Sequence, residues 1–167
     1  APTVATLQVF NNDGTTNVEV LSDSTTNDNT PLLSGAAEAG SLVIIYDGNQ
    51  QAIGSTIALD DGTWSFQSPV LSDGTHTLTA TVTDEIGNVS QPSATFTISV
   101  DATAPEPVSD LVVQNDVDPD APVTIANGGA TSDTTPAISG NAEPGSTVSI
   151  INTATGEVLG TAVADPD

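Results

Sequence analysis

The sequence predicts an all-β protein: tandem two-sheet Greek-key β-sandwiches, the second copy incomplete. Three observations predict it. The first is alternation. In THTLTATVT (75–83), His76, Leu78, Ala80 and Val82 share one face, and Thr75, Thr77, Thr79, Thr81 and Thr83 share the other. A period of two with one apolar and one polar face is that of a strand buried on one side. No apolar stripe of helical period accompanies it. The second is punctuation: Gly, Asp, Asn and Pro clusters bound short apolar runs at a spacing of about 8–12 residues, as in sandwiches. The third is repetition. The run from Asn29 to Asp47 returns from Thr134 to Asn152. Pro31, Ser34, Gly35, Ala37, Glu38, Gly40, Ser41 and Val43 recur as Pro136, Ser139, Gly140, Ala142, Glu143, Gly145, Ser146 and Val148, and Asp28 recurs as Asp133. Ala1-Pro2 recurs as Ala104-Pro105. Self-similarity at a fixed period marks a tandem array.

The elements follow in order. Seven strands are expected in the first copy, at 4–10, 31–36, 42–47, 51–58, 63–67, 75–83 and 93–100. The stretch 11–29 is a long first connection, within which Asn17–Leu21 is expected to be a split half of the first strand. Asp-Gly in DDGTW and SDGTH sets tight turns, because glycine takes positive φ without a steric cost. Pro31 stands at a strand start, where its missing N–H does little harm. Trp64 and Phe66 alternate as core anchors, Tyr46 packs on its strand with Ile44, and His76 is expected to be a satisfied histidine at the edge of the core. The domains are set at 1–101 and 102–167. The second copy has no counterpart of GTWSF, THTLTATVTD or SATFTISV, so it is expected to lack three strands and to leave its sheets open.

Charge narrows the function classes. The chain of 167 residues has 22 acidic residues, no lysine, no arginine and one histidine, a formal charge of −22. Without basic side chains it cannot neutralise phosphates, which excludes nucleic acid and disfavours anionic membranes as partners. Charged residues are only 13% and hydrophobic ones 37%, so the chain is read as folded. With no cysteine there are no disulfides and no thiol chemistry. No leader and no apolar run of about 18 residues is evident, and the chain reads as a piece of something longer. Neither a G-x-S-x-G elbow nor a Ser/His/Asp set emerges, so no enzymatic activity is expected. Mutual repulsion of the carboxylates makes divalent cations their natural counter-charge.

DGTWSF (61–66), LSDGTHTLTATVTDEIGNVS (71–90) and FTISVDATAP (96–105) resemble the bacterial immunoglobulin-like tandem repeats of large calcium-dependent, type I-secreted surface adhesins. The likeness covers the first copy and the front of the second. It implies an extracellular, cell-surface stalk of non-catalytic modules, whose partners are neighbouring repeats of the same chain and a distal receptor, with Ca2+ at or near the junctions.

Strand direction then sorts the acidic loops. One end of the first sandwich, here the top, takes AEAG, LDDGT and TDEIGNV, with Glu38, Asp60, Asp61, Asp84, Glu85 and Asn88. The other takes Asp23, Asp28, Asp47, Asp73 and Asp101. The second copy offers Glu143, Asp165 and Asp167 at its top, so Asp101 is expected beside Glu143 at the seam. Candidate ligands are Asp101, Glu143, Glu38, Asp84, Asn88, Asp60, Asp28 and Asp73. Calcium takes six to eight oxygens at about 2.3–2.6 Å. Magnesium, with its stricter octahedron, is the second choice, and the composition disfavours zinc. The expected function is a spacer made rigid by Ca2+ at the interdomain junction. The alternatives are a glycan- or protein-binding module, and an accessory sandwich of a polysaccharide-degrading enzyme. A binding module would carry aromatic residues on its top loops, and these have none.

Overall fold

The computed structural model describes residues 2, 7–12, 16–48 and 50–166. Positions 4–6 of the first expected strand, and Asp167, lie outside the described residues. The chain divides into two compact units, Ala1–Thr103 and Ala104–Asp167.

Among the described residues the first unit has nine strands: β1 (Leu7–Asn11), β2 (Val18–Val20), β3 (Ser24–Thr26), β4 (Leu32–Ala36), β5 (Leu42–Asp47), β6 (Gln51–Ile57), β7 (Thr63–Gln67), β8 (Gly74–Thr83) and β9 (Phe96–Val100). They form a four-stranded sheet in the order β2-β1-β4-β7 and a five-stranded sheet in the order β3-β9-β8-β5-β6. Alternation decides what lies between them. Val9, Leu33 and Trp64 from the first sheet meet Val43, Ile45, Leu78, Ala80, Val82, Ile98 and Val100 from the second in one buried cluster. Threonines fill the outer face of β8, where their branched side chains favour strand geometry without adding much apolar surface. On that face the Thr81 hydroxyl lies 3.4 Å from the Tyr46 hydroxyl.

Two details depart from simple alternation. Val18–Val20 does not continue β1; β2 pairs with it antiparallel, Val9 opposite Val20. The segment that changes sheet is β3, which runs parallel to β9 with Thr26 opposite Val100. Ser24–Thr26 has no apolar alternation of its own, so its pairing is set by β9 alone. The second detail is Gly54 in β6. A Cβ there would lie 2.3 Å from the Phe66 ring, so only glycine leaves room for that aromatic side chain.

The second unit contains β10 (Ser109–Asn115), β11 (Val123–Ile125), β12 (Ala137–Asn141), β13 (Thr147–Ile151) and β14 (Val158–Val163). They form the sheets β11-β10-β12 and β13-β14. These strands correspond to β1, β2, β4, β5 and β6 by sequence and by pairing.

The repeat extends to single hydrogen bonds. In the first unit the Asp28 carboxylate accepts from the backbone N–H of Asn12 and of Thr30, both at 2.8 Å. In the second, Asp133 accepts from Asp116 at 3.1 Å and Thr135 at 2.9 Å. The same aspartate therefore ties the exit of the opening strand to the start of β4 in one unit and of its counterpart β12 in the other. Replacing either Asp28 or Asp133 with alanine is expected to speed amide exchange at the clipped positions, Asn12 in one case and Asp116 in the other. Unchanged exchange at both, measured by NMR, would show that the clip holds nothing.

Candidate functional site

The top of the first unit is built from three loops. In the β4–β5 loop, the Glu38 carbonyl accepts from the Ser41 N–H at 3.1 Å, and Gly40 sits at φ 74°, where glycine is unstrained. The loop is sewn to the β6–β7 connection by Gly40 N–H to the Ala58 carbonyl (3.0 Å), Ala58 N–H to the Ser41 carbonyl (2.9 Å) and Ala37 N–H to the Gly62 carbonyl (2.8 Å). The third loop follows β8. There the Asp84 carboxylate accepts from the N–H groups of Ile86 (3.2 Å) and Asn88 (2.7 Å), and from the Asn88 side-chain amide (2.7 Å). The bond from the Asn88 side chain, with the two backbone bonds, outweighs desolvation and holds the Asp84 carboxyl below its ordinary value of 3.8. What Asp84 contributes is present above that value and is lost as pH falls through the lowered one.

Glu38, Ser41, Asp84 and Glu85 line one shallow cleft with Ala39 and Ile86. Asp60 and Asp61 line a neighbouring one with Gly40, Ile57, Ala58 and Leu59. Asp61 is occupied locally: it accepts from the Thr63 N–H (2.9 Å) and hydroxyl (2.7 Å), which lower its pKa. The second unit repeats the sewn turn: Glu143 carbonyl to Ser146 N–H (3.0 Å), Gly145 N–H to Ala164 carbonyl (3.0 Å) and Ala164 N–H to Ser146 carbonyl (2.8 Å). Glu143 is exposed on it.

At the bottom, Asp28 is committed to its clip. Asp101 is exposed and gives its N–H to the Thr26 carbonyl at 2.9 Å. Asp73 accepts from the Thr103 hydroxyl and, at 2.9 Å, from the Ala102 N–H, and these bonds hold its pKa below the ordinary value. Asp73 therefore pins the chain just after β9. An Asp73→Ala variant is expected to speed exchange of the Ala102 amide while leaving Leu78 and Ile98 protected; equal exchange in both proteins would discount the pin.

The calcium reading groups Asp101 of the first unit with Glu143 of the second. Within the first unit, the top loops bring Glu38 and Asp84 to one cleft and Asn88 to Asp84. Asp60 lies in the adjoining cleft, and Asp28 and Asp73 stand elsewhere. All these donors are oxygens, which suits a hard cation. Among the described residues no three His, Cys, Asp or Glu side chains gather closely enough to hold a metal on their own.

The pair least visible in the sequence is Asp47 with His76. His76 Nδ1 lies 2.6 Å from Asp47 Oδ2, and Nε2 lies 2.8 Å from the Ser72 carbonyl. Asp47 also accepts from the Thr77 N–H at 3.2 Å. Asp47 ends β5 and His76 lies among the first, turn-side residues of β8, two antiparallel neighbours, so the pair closes the sheet at its bottom edge. The inward phase of His76 was legible, but its partner was not, because 29 residues separate the two. Both imidazole nitrogens are engaged, so His76 is a structural clasp and not a free base.

A family model described as a bacterial Ig-like domain matches residues 3–102. No curated protein matches the chain. Among solved structures, CopC from Methylosinus trichosporium OB3b is 16% identical with a TM-score of 0.33, covering 48% of this chain and 84% of that one. The BSP domain of a biofilm associated protein is 19% identical with a TM-score of 0.37, covering 88% of this chain and 22% of that one.

Proposed function

The chain belongs to the bacterial Ig-like domain family, and from that premise we propose that it is an extracellular spacer segment of a bacterial surface adhesin, made rigid by Ca2+ at the junctions between modules. It is a non-enzymatic module. The observation that carries the reading is repetition: the same sewn turn, with a glutamate at its tip, recurs in both units. A stalk needs that property, because each module then offers the same end to the module before it.

The proposed ion sites use Asp101 with Glu143 at the seam, and Glu38, Asp84 and Asn88 at the top of the first unit with Asp60 beside them, and, at the other end, the carboxylate lone pairs that Asp28 and Asp73 do not give to backbone N–H groups. Because among the described residues no three His, Cys, Asp or Glu side chains gather closely enough, each ion would draw its remaining oxygens from backbone carbonyls, water and the adjoining module. Extracellular modules bind Ca2+ with Kd of roughly 10⁻⁴–10⁻³ M. At ten times Kd, one site supplies about 1.4 kcal/mol. That is a tenfold bias on a hinge, and it accumulates along a stalk.

Small-angle scattering of the full chain in millimolar Ca2+ and in chelator tests this. A larger and better defined maximum dimension is expected with Ca2+, and the difference should vanish in an Asp101→Asn, Glu143→Gln variant. Identical scattering curves in the two buffers would remove the rigidifying role.

A further inference from the structure

The outer face of the five-stranded sheet in the first unit carries an apolar stripe that the strand itself does not need. On β5, Val43 and Ile45 are fully buried and belong to the core cluster. Leu42, Ile44 and Tyr46 alternate with them on the other face, half-buried and outside that cluster. Ile57, 54% exposed, lies opposite Leu42 on β6 and widens the stripe. On its other side Thr83, Thr81 and Thr79 lie opposite Leu42, Ile44 and Tyr46.

The second copy of the repeat supplies the comparison. β13 keeps Val148 and Ile150 where β5 has Val43 and Ile45, but it has Thr147, Ser149 and Ile151 where β5 has Leu42, Ile44 and Tyr46. The inward residues are held and the outward ones are not. The same strand forms with hydroxyl side chains at two of the three outward positions, so Leu42 and Ile44 serve something other than the strand.

Charge and chemistry specify what covers the stripe. In a chain of net charge −22, the five strands of this sheet hold a single carboxylate, Asp47. It is turned to the other side of the sheet, across from Leu78 and bonded to His76. A basic partner would find no counter-charge on the outer face. Aliphatic side chains beside threonine methyl groups are buried best against their like, not against the hydroxyls of a sugar. The same face of a second copy meets both conditions, since it brings no carboxylate and matches aliphatic with aliphatic. Five strands about 4.8 Å apart and about six residues long, at about 3.3 Å per residue, present a face of roughly 20 Å by 20 Å. That is about 400 Å² per copy, half of what a standard interface needs, and places the contact in the weak, transient class.

We propose that the outer face of the β3-β9-β8-β5-β6 sheet is a self-association surface. Two copies of the chain pair through it about a two-fold axis, with Ile44 at the centre and Leu42 of each copy against Tyr46 of the other.

Sedimentation equilibrium of the full chain, in chelator and at several sodium chloride concentrations, tests this. A reversible dimer is expected at high micromolar to millimolar protein, and it should tighten about threefold or more as salt screens the mutual repulsion. Dilution should move the NMR amide signals of Leu42, Ile44, Tyr46 and Ile57 and leave that of the buried Leu33 in place. Leu42→Thr combined with Ile44→Ser installs the residues the second unit carries at these positions, so the strand is kept while the dimer should weaken at least tenfold. The proposal is overturned by a chain that stays monomeric at millimolar concentration, or by a double variant that pairs as tightly as the parent. It is overturned equally if a neutral glucan oligosaccharide moves these signals while dilution of the chain alone does not.

Discussion

Leu33→Ala is expected to cost the first unit about 2–5 kcal/mol, the range for emptying a fully buried leucine site, whereas Ile138→Ala should cost the second unit far less. The two residues hold the same place in the repeat. Leu33 is fully buried between two sheets, and Ile138 is 42% exposed. Sequence similarity predicts equal effects, and burial predicts unequal ones. Urea unfolding of the full chain, followed by NMR signals from each unit, decides between them. A comparable loss for both variants would mean that Ile138 is already covered in solution.

The second large effect concerns His76. A neutral imidazole has one N–H, yet His76 faces the acceptor Asp47 on one nitrogen and the Ser72 carbonyl on the other, so only the imidazolium satisfies both. Burial disfavours that charge, but the Asp47 hydrogen bond, the Ser72 bond and the Asp47 charge outweigh it and raise the pKa above its ordinary 6.5. A raised folded value gives stability that is complete below the ordinary pKa and is lost as pH rises through the folded one. His76→Gln is therefore expected to cost about 1.5–3 kcal/mol on the acid side, as for hydrogen bonds to charged groups, with the gap to the parent narrowing toward alkaline pH. The parent and variant share every other carboxylate, so their difference removes the general repulsion of the chain. A gap in urea midpoint that stays constant from about pH 6 to pH 9 would contradict an imidazolium clasp.

The elements legible in the sequence were those with strong alternation. The strand at 42–47 agrees residue for residue, and that at 75–83 starts one residue early, at Gly74. The long connection after β1 was less legible. Val18–Val20 alternates as well as a continuation of β1 does, and the hairpin that makes it a partner is fixed by pairing across the sheet. Ser24–Thr26 bears no strand pattern because its neighbour β9 supplies it. At the site, the gathering of the top loops followed from strand direction, so Glu38 and Asp84 could be placed together. What each carboxylate accepts could not be read. Asp73 and Asp28 read as candidate ligands, and in the structure they bind backbone N–H groups. Asp, Asn and Thr serve turns and ions with the same oxygens, so composition alone does not separate the two uses.

The parallel pairing of β3 with β9 has a mechanical consequence. Once β1 and β2 have been drawn off their sheet, pulling the entry of the first unit away from its exit draws β3 backward by its N-terminal end and β9 forward by its C-terminal end. Parallel strands loaded in this sense slide past one another, so Ser24–Thr26 and Ile98–Val100, with the Asp101–Thr26 bond at their end, carry the load together and do not peel apart singly. A tether exposed to flow would gain toughness from three residues that contribute almost nothing to the core.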